Sequence, residues 1–317
     1  MYFPYLRGKQ FELIALREIC DIMAANDSKV SPIIEPVKDS PTLKKTLIEL
    51  SRENINYNVI INPGVGDLVK SSGNILNLLK KDLAGYTNYQ AAIIIDGSKD
   101  VKYYANLVNN QDFQQLSCSG ITLIHIAGRE DITNILKYIQ HYSELPIINN
   151  VVHLGKTNRR YYRNFESTTL VTLDDFFCCQ QKNADYLSID DSEFSEEHLF
   201  YKQDGFKGFS DFLTIGDIYS DGGFLPYAIA IHLSYITRQN KIRVKHFVSD
   251  SNMDTTDIGG KFEEALNKLI YWCNTSTLDT RAISEFKELH NNGHFPGLGS
   301  IKKLSVMNHI ELVLSLI

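Results

Sequence analysis

Short apolar runs recur along this chain at near-regular intervals, with amphipathic stretches between them. The cleanest is Gln90–Asp96 (QAAIIID), which is apolar without alternation. That is the pattern of a strand buried on both faces, as in a parallel sheet. Similar runs fall at Val30–Val37, Tyr57–Asn62, Gly120–Ala127, Leu145–Val151 and Thr168–Leu173, and Phe209–Ile215 closes the series. Counting the aromatic stretch Tyr2–Leu6 as the first, the pattern predicts eight strands.

The intervening stretches read as helices. Gln10–Ala24 places Leu13, Ile14, Ile19, Ile22 and Met23 near helical spacing, with Glu12, Arg17 and Glu18 on the wet side. Ser40-Pro41 supplies a cap and a proline for the first helical position. Gly66–Leu83, Val101–Leu116 and Arg129–Tyr142 continue the alternation. Strand-helix repetition of this kind predicts a parallel sheet closed into a (β/α)8, TIM-like barrel. An open doubly wound sheet is the alternative, but no GxGxxG follows any strand.

The tail leaves the repeat. Pro226–Ile236 and Ile242–Val248 flank Thr237–Lys241 and read as a β-hairpin, although Tyr227–Tyr235 could equally be the last barrel helix. Helices follow at Phe262–Trp272, Arg281–His290 and Ile301–Ile317. The expected division is a barrel over residues 1–250 and a C-terminal helical extension, packed on it, over 251–317. Gly222-Gly223 offers a sharp turn after the last barrel strand. Ser192–Gly205 is a polar insertion of the length that often forms a lid or binding loop in barrels.

Composition adds limits. With 317 residues, 43% hydrophobic and 22% charged, the chain can bury a large core without staples. The net charge of −6 argues against general coating of nucleic acid while leaving room for a local basic patch. The five cysteines include no CxxC, so reduced thiols in a cytoplasmic protein are expected. The N-terminus lacks a signal-peptide core and no apolar run is long enough to span a membrane.

In barrel enzymes the working residues lie at the C-terminal strand ends. That rule collects Glu35, Asp96, His125 and Asp211 as candidate catalytic groups. Glu35 interrupts an apolar strand and could be an acid or base of shifted pKa, or a structural partner for Arg7 or Lys9. Asp96 precedes Gly-Ser and could equally be a helix cap. His125 could carry a proton or be a satisfied core histidine. Glu35, Asp96 and Asp211 together could hold a divalent cation such as magnesium in a metal-assisted phosphodiesterase.

The one local basic patch is His153-Leu-Gly-Lys-Thr-Asn-Arg-Arg-Tyr-Tyr-Arg163. Lys156, Arg159, Arg160 and Arg163 interleave with Tyr161 and Tyr162, a composition suited to phosphate contacts and base stacking, so a nucleotide or nucleic acid is the ligand to expect. Gly155-Lys-Thr157 lacks the preceding glycine of a P-loop. The competing reading is a solvated loop whose arginines pair with Asp190-Asp191 or Glu196-Glu197.

Three further motifs carry a resemblance: Tyr5-Leu-Arg-Gly-Lys-Gln-Phe-Glu-Leu13, Pro32-Ile-Ile-Glu-Pro-Val37, and Gly208-Phe-Ser-Asp-Phe212 followed by Pro226-Tyr-Ala-Ile-Ala-Ile-His-Leu233. Together they resemble the bacterial and phage "beta protein" family, over about Tyr2 to Trp272. The resemblance implies a barrel-like α/β protein of bacterial or mobile-element origin, often encoded near phage-defence genes, with no established activity. It makes Arg7, Lys9, Glu35 and Asp211 the first residues to test. The expected role is binding, at the C-terminal face, of a protein partner from a neighbouring gene or of a phosphate-bearing ligand, with Arg7, Lys9 and the 156–163 cations as ligand contacts. The apolar C-terminus would dock on the barrel or in a homo-oligomer.

Overall fold

A computed structural model describes residues 1–222 and 225–317. The Gly222-Gly223 turn therefore lies partly outside the described residues. The chain divides into two compact units. The first comprises Met1–Leu13, Cys20–Asp174 and Leu199–Asp211, and the second Ile14–Ile19, Asp175–His198 and Phe212–Ile317.

The first unit is a closed parallel barrel. Its strands are β1 (Tyr2–Leu6), β2 (Ile33–Ile34), β3 (Tyr57–Ile60), β4 (Tyr89–Ile95), β5 (Gly120–His125), β6 (Ile147–His153) and β7 (Leu170–Asp174). After β8 (Asp191–Ser195), which belongs to the second unit, β9 (Gly208–Asp211) closes the ring between β7 and β1. Leu173 pairs with Ser210 and Phe3 with Ser210 on the other side, so both seams are parallel. Each of the eight strands lies within or overlaps the run that predicts it. Ser40 caps the helix Pro41–Arg52 by accepting from Leu43 N at 3.2 Å, and Pro41 occupies the first helical position.

The two faces of the barrel sheet can be told apart by chemistry. Tyr57 donates its hydroxyl to Leu47 O (3.2 Å) and meets Ser51 Oγ (2.6 Å), both on the helix Pro41–Arg52. Its face is therefore the helix-facing one. Asn58, the next residue, points the other way, into the barrel. There it receives Thr122 Oγ1 on its Oδ1 (2.6 Å) and donates to Ser31 Oγ (3.0 Å). Asn149 donates to Thr122 Oγ1 (2.9 Å) and accepts from Lys207 Nζ (2.6 Å). A hydrogen-bonded polar layer thus threads the barrel interior from β3 to β6. Asn58 and Thr122 are fully buried, so each of these bonds spares a polar group a desolvation cost.

The second unit holds an antiparallel sheet in the order β10-β11-β8, with β10 at Ala230–Ile236 and β11 at Ile242–Val248. The hairpin is as the sequence predicts, and the alternative helix over Tyr227–Tyr235 is replaced by strand β10. The third strand was not read from the sequence. Asp191–Ser195 is polar, and it forms because β11 offers partners: Arg243 pairs with Glu193 in register and Val244 with Ser192. Helices Ile258–Cys273, Arg281–Asn291 and Leu298–Leu316 complete this unit. The last is buried along most of its length: Lys303 bridges Glu18 (2.6 Å) and Glu285 (2.9 Å), and Asn308 donates to Ser234 O (2.9 Å). Among the described residues no helix is long and apolar enough to cross a membrane.

Candidate phosphate-binding rim of the barrel

Strand register decides which sequence candidates face the barrel axis. Ile33 pairs with Asn58, so Ile33 and Glu35 share the interior face. Glu35 is fully buried there. Its Oε2 takes the Tyr5 hydroxyl at 2.7 Å and the Arg7 guanidinium, and its Oε1 takes Gly64 N at 2.7 Å. Arg7 also lies over the Tyr5 ring at 5.2 Å, and its backbone N–H donates to Glu12 Oε2 at 2.8 Å. Gly8 is fixed here by shape. Its φ is +62°, and a Cβ would lie 2.7 Å from Glu35 O. The structural reading of Glu35 therefore has named partners, three donors on one buried carboxylate. Lys9 is half-buried at the start of the following helix.

His125 and Asp211 face the other way. Val59, on the same face as Tyr57, pairs with Ala91, which pairs with Ile121, so Ile121, Leu123 and His125 look toward the helices. His125 Nδ1 lies 2.9 Å from the Tyr161 hydroxyl and Nε2 lies 3.1 Å from Asn150 Oδ1. An amide oxygen can only accept, so Nε2 carries the proton and Nδ1 accepts from Tyr161. Burial pushes this imidazole down to about 4, and the Asn150 bond opposes that only in part. Asp211 pairs with Pro4 and shares its face with Tyr2, whose hydroxyl it accepts at 2.9 Å. Burial and the adjacent Asp211 carboxylate raise Tyr2 well above the ordinary tyrosine range.

Asp96 ends β4 in a turn. Its Oδ1 accepts from Ser98 N (2.8 Å), Ser98 Oγ (2.9 Å) and Lys99 N (3.0 Å). Tyr104 and Arg129 hold the same turn through the Asp96 backbone. Glu35, Asp96 and Asp211 thus have separate local partners. Among the described residues no group of three or more His, Cys, Asp or Glu side chains is placed to hold a metal ion.

The basic segment follows β6, at the C-terminal end of the barrel strands. It makes one 3-10 turn (Leu154–Lys156) and one short helix (Arg159–Tyr162). Asn158 caps the helix by accepting from Tyr161 N at 3.1 Å. Tyr161 is buried and plugs downward onto His125, with Phe165 4.5 Å from the His125 ring. The inward Tyr161 forces its neighbours outward. Lys156, Arg159, Arg160 and Arg163 are all exposed. Among the described residues the Arg159, Arg160 and Arg163 side chains make no ion pair or hydrogen bond. The acidic stretch weighed as their partner is already taken within the second unit. Asp191 binds Arg243 through Nε at 2.8 Å and Nη2 at 3.0 Å, Asp190 binds Lys245, and Glu196 binds Lys241.

Two features of this rim escaped the sequence reading. His153 and Asp174, at the ends of the neighbouring strands β6 and β7, approach to 3.6 Å. Gly155 makes room for them, since a Cβ there would lie 3.2 Å from Asp174 Oδ1. Both residues end apolar runs, and pairing the ends of consecutive strands is the signal that connects them. The second is Tyr161 as the anchor of the basic segment, which looks in sequence like one more stacking aromatic. No family model, curated protein or solved structure matches the chain.

Proposed function

We propose that this protein binds a phosphate-bearing ligand, a nucleotide or a nucleic-acid strand, at the C-terminal rim of its barrel. Arg159, Arg160 and Arg163 are its phosphate contacts. One observation carries the reading: three exposed guanidinium groups, Arg159 and Arg160 on a short, internally anchored helix and Arg163 at its C-terminal cap, have no partner among the described residues. Clustered cations with nothing to neutralise them repel one another, and an incoming polyanion relieves that repulsion. Guanidinium groups suit phosphate because their planar fork matches two oxygens at once. The Tyr161 anchor on His125 fixes the helix before binding, which lowers the ordering cost.

The biological setting we propose, a bacterial phage-defence or related conflict system with a protein partner encoded nearby, rests on the motif resemblance alone. Binding can be tested without it. Fluorescence anisotropy of a dye-labelled short oligothymidylate, with ATP as competitor, should show affinity that falls steeply with salt. Changing Arg159, Arg160 and Arg163 together to glutamate should weaken binding at least about tenfold and flatten the salt dependence. Unchanged affinity in that variant would falsify the proposal.

A further inference from the structure

A second candidate site lies wholly within the second unit and is independent of the barrel rim. A cavity of about 400 Å³ is lined by residues that include Phe177, Tyr186 and His232, with Leu298 and Ile301 of the last helix. That volume falls in the range of small-molecule sites, which combine apolar walls with a few placed polar groups. The apolar character continues outside it: Leu298 is 40% exposed, and Leu225 and Tyr227, flanking the lining residue Pro226, are 61% and 60% exposed.

Gln180, Asn183, Thr214, Lys302 and Ser305 also line the cavity, and among the polar groups of its wall His232 is unusual. His232 Nδ1 lies 2.8 Å from His246 Nδ1, and His246 Nε2 lies 3.1 Å from Ser192 Oγ. One proton is shared between the two Nδ1 atoms. In one arrangement His232 donates it, leaving His232 Nε2 an acceptor, and His246 Nε2–H donates to Ser192. In the other His246 donates it, His232 Nε2 carries a proton, and the Ser192 hydroxyl donates to His246. Both arrangements satisfy every internal partner, because a hydroxyl can donate or accept. His232 Nε2 itself keeps solvent access and has no partner among the described residues. It can therefore offer either a donor or an acceptor to whatever fills the cavity.

Aromatic rings pack around the histidine pair, tilted or edge-on to it. Tyr186 lies 4.5 Å from the His232 ring and 4.6 Å from the His246 ring, and Phe177 lies 5.1 Å from His232. Burial pushes His232 down to about 3 and His246 down to about 4, so the pair is neutral near pH 7 and exerts no pull on an anion.

We propose that this cavity binds an uncharged planar heteroaromatic ring, packed against Phe177 and Tyr186 and hydrogen-bonded on one edge by His232 Nε2. A hydrocarbon of the same size would bury that nitrogen without a partner, so the site discriminates against it.

The test uses the full chain and 2-aminopurine free base, whose fluorescence is quenched by stacking on aromatic rings. Saturable quenching is expected, with naphthalene competing at least tenfold more weakly than unlabelled adenine. Two variants assign the site. His232→Phe keeps the ring and removes the nitrogen, and should weaken binding at least tenfold. Leu298→Trp, at an exposed position, should fill the mouth and abolish quenching while circular dichroism stays unchanged. If His232→Phe fails to fold, Leu298→Trp alone decides. Absence of saturable quenching, quenching retained in Leu298→Trp, or naphthalene competing as well as adenine would each overturn the proposal.

Discussion

Glu35 and the arginines on and just after the helix Arg159–Tyr162 both carry charge at the C-terminal end of one barrel, and the fold treats them in opposite ways. Glu35 is fully buried and its two oxygens are claimed by Tyr5, Arg7 and Gly64. Arg159, Arg160 and Arg163 are exposed and claimed by nothing among the described residues. A buried charge with both oxygens engaged has its energy tied up in the folded state. Exposed charges held in fixed positions without partners contribute little to folding and leave their energy available to a ligand. The difference separates residues that shape the rim from residues that can use it.

The sharpest way to break this comparison is to remove the buried carboxylate. Glu35→Ala leaves the Arg7 guanidinium, only 11% exposed, without its counter-charge, and strips acceptors from Tyr5 and Gly64. Removing one partner of a buried pair should cost about 3–5 kcal/mol, measured by urea unfolding. The double variant Arg7→Met, Glu35→Leu should cost clearly less than the two single changes summed. A loss near zero for Glu35→Ala would mean that the carboxylate is not structural, and would return it to the list of groups free for chemistry.

Next comes acid. His125 is held near 4, below its ordinary 6.5, so the neutral ring is the folded form. Its contribution is complete above about pH 6.5 and is lost as pH falls toward 4, by up to about 3 kcal/mol. His232 and His246 are depressed too and act in the same direction. Unfolding free energy should therefore drop between pH 6.5 and 4 in the native chain, and drop less steeply in His125→Gln. Equal slopes in the two proteins would show that His125 does not carry the titration.

These partners explain what the sequence could and could not reveal. Strands such as Tyr89–Ile95 were legible because burial on both faces demands a continuous apolar run, which the sequence displays without reference to any particular partner. Strand Asp191–Ser195 was not, since a polar segment becomes a strand only when β11 supplies Arg243 and Val244 in register. The same limit applies to the site. Glu35, Asp96, His125 and Asp211 share a position at strand ends, but one residue of offset turns a side chain from the axis to the helices. Glu35 looks inward and His125 and Asp211 outward because of registers set across four or more strands. Composition alone marked the basic segment, and the inward turn of Tyr161 that exposes its arginines is a tertiary event.

A smaller effect tests the barrel interior. Thr122 accepts from Asn149 and donates to Asn58. Thr122→Val is close to isosteric but strands Asn58 Oδ1 and Asn149 Nδ2 in a buried layer. The expected cost is about 1–3 kcal/mol, read from the shift in urea midpoint.

The smallest effect on folding is the most informative about use. Changing Arg159, Arg160 and Arg163 to glutamate removes no side-chain hydrogen bond or ion pair among the described residues, so unfolding free energy should stay within about 0.5 kcal/mol of the native value. Tyr161→Phe offers the contrast. It keeps the ring against Phe165 but removes the hydroxyl on His125, and should lower stability by about 1 kcal/mol. If the rim works as proposed, the arginine variant folds normally and loses the oligonucleotide, whereas Tyr161→Phe keeps all four cations and loses affinity only as far as the helix loosens. A stability loss in the arginine variant as large as that of Tyr161→Phe would mean that the three guanidinium groups already have work inside the fold, and the distinction between shaping the rim and using it would collapse.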